Sequence, residues 1–215
     1  MKSLIIKDLY NIAHNAKSVL FILVMFIAVF IPTSGVLQYI VMCAMLCSMM
    51  IVTTFAFDDT CKWTSYAMIM PVSKKDLVTA KFVVSAIFCA AGSVFGLLAG
   101  FLGGLAMGKI TLHPAKIGEL LLFTLSAWAI SFIIGSTSIP LVFRFGAEKG
   151  RVLLVASVLL PAAVCVGAYR LLVLLGVQVT EGLMVILLCI SPVLACIWCG
   201  AMYRISWRIF LKQEF

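Results

Sequence analysis

The sequence predicts an all-α membrane protein: six transmembrane helices, an amphipathic interfacial helix in front of them, and both termini in the cytoplasm. Hydrophobic residues make up 64% of the 215 residues and charged residues only 11%, against about 25% charged residues in a soluble domain. A helix needs about 20 apolar residues to cross a bilayer. The apolar runs therefore occupy most of the chain and leave no room for a separate aqueous domain.

The first element, residues 1–17, is predicted to be an elbow helix that lies on the inner membrane surface. Apolar residues recur there at helical spacing, and charged or polar residues occupy the positions between them. This pattern is typical of interfacial helices. A frayed polar lead-in is the alternative interpretation of so short a stretch. The apolar positions are Ile5, Leu9, Ile12 and Ala16.

Six apolar runs follow, and they define one transmembrane domain, residues 18–203, with residues 204–215 as a cytoplasmic tail. Of the 16 Lys and Arg residues, 13 lie in the termini and the even-numbered connections. Because positive residues concentrate on the cytoplasmic side, both termini are predicted to be cytoplasmic in a multi-pass protein of the plasma membrane. The runs are residues 18–32, 36–57, 82–107, 120–143, 152–175 and 183–203.

The third apolar run contains glycines at a regular spacing of four residues. Four residues advance about 400° around a helix of about 3.6 residues per turn, so the glycines form a slowly winding groove without side chains. Such a groove predicts close packing against a neighbouring span or a second copy. A smooth face on which helices slide is compatible with that packing. The glycines are Gly92, Gly96, Gly100, Gly104 and Gly108.

Two sequence patterns are similar to nucleotide-binding or metal-binding motifs, but neither predicts such a site. The stretch Gly103–Ile110 matches part of the phosphate-binding pattern G-x-x-x-x-G-K-[ST], but Ile110 stands where a hydroxyl must bind magnesium. Cys196 and Cys199 lie inside the last span, where thiols pack as small hydrophobic groups. The sequence therefore predicts no catalytic residue, no metal site, no cofactor bound by this chain, and no enzyme activity.

The connection between the second and third runs, residues 58–81, is the largest polar segment of the chain. It mixes acidic, basic and aromatic residues with apolar ones, which is unusual for a solvated linker. We expect a short interfacial helix at about residues 60–69, a turn at Pro71, and a helix start capped by Ser73 with Asp76 in a capping box. A loop that rests on lipid headgroups is the alternative interpretation.

This segment resembles the loop between spans two and three of type-2 ATP-binding-cassette (ABC) permeases. The resemblance is to the small bacterial six-span group, whose loop reads acidic, Lys-Trp, aromatic, then Pro-Val-Ser-basic. It is carried by the runs Phe57–Tyr66 and Met70–Val78, by Lys81, and by Lys7-Asp8-Leu9 before the first span. It implies two permease copies, or two related chains, and a cytoplasmic ATPase that carries ATP and magnesium and docks on this loop.

The resemblance also implies which residues contact the ATPase. A short connection between the fourth and fifth runs would provide a secondary cytoplasmic contact, formed by Arg144, Glu148, Lys149 and Arg151. The main coupling segment would contain Asp58, Asp59, Lys62, Trp63, Tyr66, Pro71, Ser73, Lys74, Lys75 and Asp76.

The function expected from these observations is that of the permease subunit of an ABC exporter, which couples ATP hydrolysis by a separate ATPase to export of a substrate. A peptide or another amphipathic substrate is implied by the resemblance alone. The expected partners are the ATPase, a second permease copy or homologous permease, and membrane lipid. Nucleic acid is not expected, because the positive charge follows the topology. The alternative function is an ATPase-independent membrane carrier or scaffold.

Overall fold

The computed structural model describes residues 2–69, 73–108, 114–174 and 181–212. Within those ranges every regular element is helical, so the all-α class is confirmed. A short 3-10 helix, Ala147–Lys149, connects α5 and α6. The α-helices are α1 (Lys2–Thr33), α2 (Val36–Thr60), α3 (Trp63–Ile69), α4 (Lys74–Ala106), α5 (Pro114–Phe145), α6 (Gly150–Leu174) and α7 (Glu181–Leu211).

Among the described residues, four helices are long and apolar enough to cross a membrane, namely α2, α4, α5 and α7. A fifth candidate is α1, in which Lys2–Ile12 and Lys17–Thr33 meet at a bend of 59°. The apolar part of α6, Val152–Gly167, is shorter than the roughly 20 residues of a typical span. Six spans, the division at residue 17 and the cytoplasmic termini therefore remain predictions.

Local sequence explains where the helices near residues 58–81 begin and end. Lys62 has a φ of +49°, and it turns the chain between α2 and α3. The side chain of Ser73 caps α4, because its Oγ accepts a hydrogen bond from the backbone N of Asp76 at 3.2 Å. The predicted turn at Pro71 lies outside the described residues.

The centre of the bundle is α2, which packs against α1, α4 and α5, while α7 packs mainly on α5. At one end of α2, Tyr39 is fully buried and donates a hydrogen bond to the carbonyl of Leu23 in α1 at 3.1 Å. At the other end, the ring of Phe143 lies 5.0 Å from that of Phe55 and 5.1 Å from that of Phe210. Both ends of α2 are thus anchored by aromatic side chains.

The glycines of α4 lie along its contact with α2. A Cβ at Gly92 would stand 2.5 Å from the Cβ of Cys47, and a Cβ at Gly96 would stand 3.2 Å from the Cα of Ile40. Because these distances leave no space for a side chain, the two backbones approach more closely than larger residues allow. We call this surface, formed by Gly92, Gly96 and Gly100 against α2, the glycine contact.

The remaining glycines of the predicted series have other positions. Gly104 is buried. Gly108 is exposed beyond the end of α4, has a φ of +67° and would meet nothing within 4 Å if it carried a Cβ. Gly108 thus lies where the helix stops, in a left-handed conformation that glycine adopts readily. Gly103, which is outside the series, faces Ile31 of α1.

Candidate functional site

Four charged side chains from three helices meet inside one end of the bundle. Lys7 and Asp8 come from α1, Asp58 from the last turn of α2, and Lys81 from the second turn of α4. Nζ of Lys81 lies 2.6 Å from Asp58 and 2.9 Å from Asp8, and Nζ of Lys7 lies 2.5 Å from Asp58. We call these four residues the charge cluster, and the end of the bundle that contains them the charged end.

The charge cluster is buried and balanced. The side chains of Asp8, Asp58 and Lys81 are 2%, 8% and 4% exposed, and that of Lys7 is 23% exposed. Two positive and two negative groups therefore neutralise one another where water has little access. Removing one member of such a group leaves an uncompensated buried charge, which costs about 3–5 kcal/mol.

Polar and aromatic side chains next to the cluster make further contacts with its two lysines. Lys81 also donates to the hydroxyl of Thr54 at 3.2 Å, and its ammonium group lies 4.7 Å from the centre of the Phe55 ring. The ammonium group of Lys7 lies 4.6 Å from the centre of the Trp63 ring in α3. Contacts between a cation and a ring face are attractive. Through Trp63, the cluster joins α3 to α1, α2 and α4.

The two acidic residues at the end of α2 have different environments, although the sequence analysis grouped them. Asp58 is 6% exposed and faces the charge cluster. Asp59 is exposed, and its carboxylate accepts a hydrogen bond at 2.9 Å from the backbone N of Ala147, in the connection between α5 and α6. The structure therefore directs only Asp59 towards the surface.

The other expected coupling residues lie on or near the surface of the charged end. Tyr66 is 62% exposed, Lys62, Ser73 and Lys75 are exposed, and Trp63, Lys74 and Asp76 are partly buried. Ile69, which the sequence analysis did not select, is 85% exposed on α3. Pro71 lies outside the described residues. Exposed aromatic, apolar and basic groups thus share this surface.

The expected secondary contact lies against the end of α2, at the same end of the bundle. Arg144 at the end of α5 and Lys149 in the 3-10 helix are both exposed. The side chains of Glu148 and Arg151 are outside what the structure describes. The hydrogen bond between Asp59 and Ala147 connects this segment directly to the end of α2.

A cavity of about 170 Å³ opens next to the charge cluster. Two of its lining residues, Asp58 and Lys81, belong to the cluster, and two other charged residues, Asp59 and Arg144, line it from outside the cluster. Phenylalanine side chains of α2, α5 and α7 form much of the remaining wall. The cavity therefore brings charged groups of both signs within reach of one space.

The described part of the chain contains no group of three His, Cys, Asp or Glu side chains arranged to hold a metal ion. All eight cysteines are free thiols rather than disulfides. The arrangement at the charged end is suited to ion pairing and to contact with another protein, and we assign no bond-making chemistry to it.

Comparison with known protein families decides the family of this chain. The family model described as "ABC-2 family transporter protein" matches residues 3–211. The chain belongs to the ABC-2 transporter family. The resemblance to type-2 ABC permeases is thereby confirmed, and members of this family normally work with cytoplasmic ABC ATPase partners. Searches of curated proteins and of solved structures gave no match.

Sequence reasoning on this ABC-2 protein missed the charge cluster as a unit. It assigned Lys7 and Asp8 to the polar face of the elbow helix and Asp58 to the docking surface. A signal was present, because Asp58 and Lys81 each adjoin an apolar run, and a charge there is stable only if it reaches water or a partner of opposite sign. Which charges pair with one another was not visible in the sequence.

Proposed function

We propose that this ABC-2 protein is the permease subunit of an ABC exporter, and that a separate cytoplasmic ATPase docks on the exposed side of α3 and the start of α4. The observation that carries the proposal is the two-sided character of α3. Ala67 is 2% exposed and packs in the core, whereas Tyr66 and Ile69 of the same short helix are 62% and 85% exposed. An exposed aromatic and apolar side outside the apolar spans favours contact with a protein partner.

The charges around α3 support the same partner. Lys62 and Lys75 are exposed on either side of α3, and such groups steer an acidic partner surface during association. The proposed docking surface consists of Asp59, Lys62, Trp63, Tyr66, Pro71, Ser73, Lys74, Lys75 and Asp76, while Asp58 supports it from inside. Arg144, Glu148, Lys149 and Arg151 form the proposed secondary contact.

In the proposed cycle, ATP and magnesium bind to the ATPase, and closure of two ATPase subunits moves α3. A second permease copy or a homologous permease would complete the pathway, in the plasma membrane and with the termini in the cytoplasm. An amphipathic substrate such as a peptide is proposed from the resemblance described above. Such coupling needs an element with two states whose equilibrium the nucleotide shifts.

The experiment that tests this function is purification of the tagged protein from its native host in mild detergent, followed by mass spectrometry. We expect an ATPase of the ABC type to co-purify with the wild type and to be reduced at least tenfold by Tyr66→Ala. Tyr169→Ala is the matched control, because Tyr169 on α6 is 55% exposed but lies far from α3 along the chain. Its ATPase yield should equal that of the wild type.

A monodisperse wild-type protein without any ATPase would contradict the proposal. The alternative, an ATPase-independent carrier or scaffold, would then be favoured. Equal loss of the ATPase in both tyrosine variants would contradict the assignment of the docking surface to α3.

A further inference from the structure

We propose that the charge cluster is a switchable joint, in which Asp58 and Lys81 exchange their ion-pair partners across the adjacent cavity when the ATPase moves α3. This inference rests on the proposed function and specifies how movement passes from the docking surface to the spans. In the exchanged arrangement Lys81 pairs with Asp59, Asp58 pairs with Arg144, and Lys7 keeps Asp8.

The first support is the connection between the docking surface and the cluster. The ammonium group of Lys7 lies 4.6 Å from the centre of the Trp63 ring in α3, and Lys7 pairs with Asp58 at 2.5 Å. Asp58 in turn pairs with Lys81 at 2.6 Å, so a shift of Trp63 reaches α4 through three direct contacts. Lys7, on the rim of the cluster, is its most exposed member.

The second support is that the cavity contains both the present and the alternative partners. Asp58 and Lys81 line it from the cluster, and Asp59 and Arg144 line it from the ends of α2 and α5. Its volume of about 170 Å³ provides room for these side chains to change rotamer. The partners needed for an exchange therefore already line one cavity.

The third support is charge balance. Six charged groups take part, three positive and three negative, and each has a partner in the exchanged arrangement. Lys7 and Asp8 already lie 3.1 Å apart, although without the geometry of a hydrogen bond. Leaving a buried charge unpaired costs free energy. An exchange that keeps every charge paired avoids this cost.

The exchange has a defined structural consequence. At present α1 is bound to α2 through Lys7 and Asp58, and to α4 through Asp8 and Lys81. Both ion pairs are absent after the exchange, so the N-terminal part of α1 is held only by apolar contacts such as those of Leu9 and Ile12 and moves away from the bundle more easily. The glycine contact holds α2 and α4 together throughout, which confines the movement to the charged end.

The test measures the release of α1 in the complex with its ATPase, reconstituted in lipid vesicles. Spin labels carried by unnatural amino acids replace Tyr10 on α1 and Arg208 on α7, both of which are exposed. The distance between the labels is measured without nucleotide and with ATP, magnesium and vanadate. We expect the distance distribution to shift to longer values in the otherwise unaltered complex.

Two further variants test the exchange while leaving the present cluster intact. Asp59→Asn and Arg144→Gln each remove the charge of an alternative partner. Because Asp59 and Arg144 also belong to the proposed ATPase contacts, the bound ATPase is measured first, and in the complexes that retain it each variant should abolish the nucleotide-dependent shift. Arg204→Gln is the matched control, since it removes an exposed arginine of α7, and it should leave the shift unchanged.

Three results would overturn the inference. The first is a shift that persists in Asp59→Asn and Arg144→Gln, and the second is no shift in the unaltered complex while it hydrolyses ATP. The third is an equal loss of the shift in Arg204→Gln, which would show that the shift does not depend on the alternative partners. Failure of the ATPase to bind the wild type would overturn the proposed function itself and is detected beforehand by co-purification.

Discussion

The helices α2 and α4 meet in two different ways along their length. At the glycine contact α4 presents no side chains to α2, and a Cβ at Gly92 would stand 2.5 Å from the Cβ of Cys47. At the charged end the same helices are joined by an ion pair between Asp58 and Lys81, beside a cavity. Close packing of backbones has one arrangement, whereas ion pairs have alternative partners. One pair of helices can therefore be rigid in its middle and adjustable at its end.

The largest effect is expected from breaking the charge cluster on one side. Lys81→Met leaves Asp8 and Asp58 with Lys7 as their remaining partner within the cluster, so the variant should lose about 3–5 kcal/mol of stability. Thermal unfolding of the purified protein in detergent measures this loss. Lys75→Met removes an exposed lysine of the same helix, whose ammonium group lies 5.6 Å from the centre of the Trp207 ring, and should cost no more than about 1 kcal/mol. Equal unfolding temperatures for the two variants would show that the cluster does not stabilise the fold.

A substitution at the glycine contact should destabilise the protein less than one in the charge cluster. Even one added carbon should nevertheless lower the stability. Gly92→Ala is expected to cost about 1–3 kcal/mol, because the new methyl group overlaps Cys47. Gly200→Ala in α7 is the matched control, since its Cβ would meet nothing within 4 Å. That control should be neutral or stabilising, because alanine favours helix more than glycine by about 1 kcal/mol. If Gly92→Ala and Gly200→Ala changed the stability by the same amount, the close approach of α2 and α4 would be contradicted.

A smaller effect is expected at the start of α4, where the charged end depends on local capping. Ser73→Ala removes the acceptor for the backbone N of Asp76 and should cost about 1 kcal/mol. Ser73→Asp keeps an acceptor at the cap and should retain wild-type stability. Thermal unfolding of both variants tests this, and a loss as large as that of Lys81→Met would show that Ser73 does more than cap the helix.

The smallest effect on stability is expected from salt. Raising the ionic strength from 0.1 to 1 M shortens the screening length from about 10 to about 3 Å, which weakens exposed charges far more than buried pairs. The unfolding temperature of the permease alone should therefore change little, because its ion pairs are buried. The amount of ATPase that co-purifies should decrease, because Lys62 and Lys75 are exposed. An unfolding temperature that falls steeply with salt would show that water reaches the cluster.

Much of the fold could be predicted because its determinants are local. Each of the six apolar runs coincides largely with one of the described helices, although the run 82–107 passes the end of α4 by one residue and residue 175 lies outside the described part of the chain. The short helix expected at about residues 60–69 is α3, Trp63–Ile69, and the Ser73 cap precedes α4 as expected. Hydropathy, a capping side chain and a helix-breaking segment act within one or two turns of the chain, so they are readable without knowledge of the neighbours.

The candidate site was predicted less completely. The sequence identified residues 58–81 and the segment after α5 as the important polar regions, and residues of both lie at the charged end. It did not separate Asp58, which faces inwards, from Asp59, which faces outwards. Adjacent residues on a helix point about 100° apart, and only the position of α1 and α4 decides which of the two faces the core.

The sequence by itself determined that this chain is a bundle of apolar helices with a polar segment after the second, and it contained the motifs of its family. Tertiary structure alone decided that Lys7, Asp8, Asp58 and Lys81 meet, and that the glycines of α4 face α2. The physical reason is the range of the forces involved. Helix formation depends on neighbours a few residues away, whereas an ion pair between residues 7 and 58, or 8 and 81, forms only after packing has brought distant segments together.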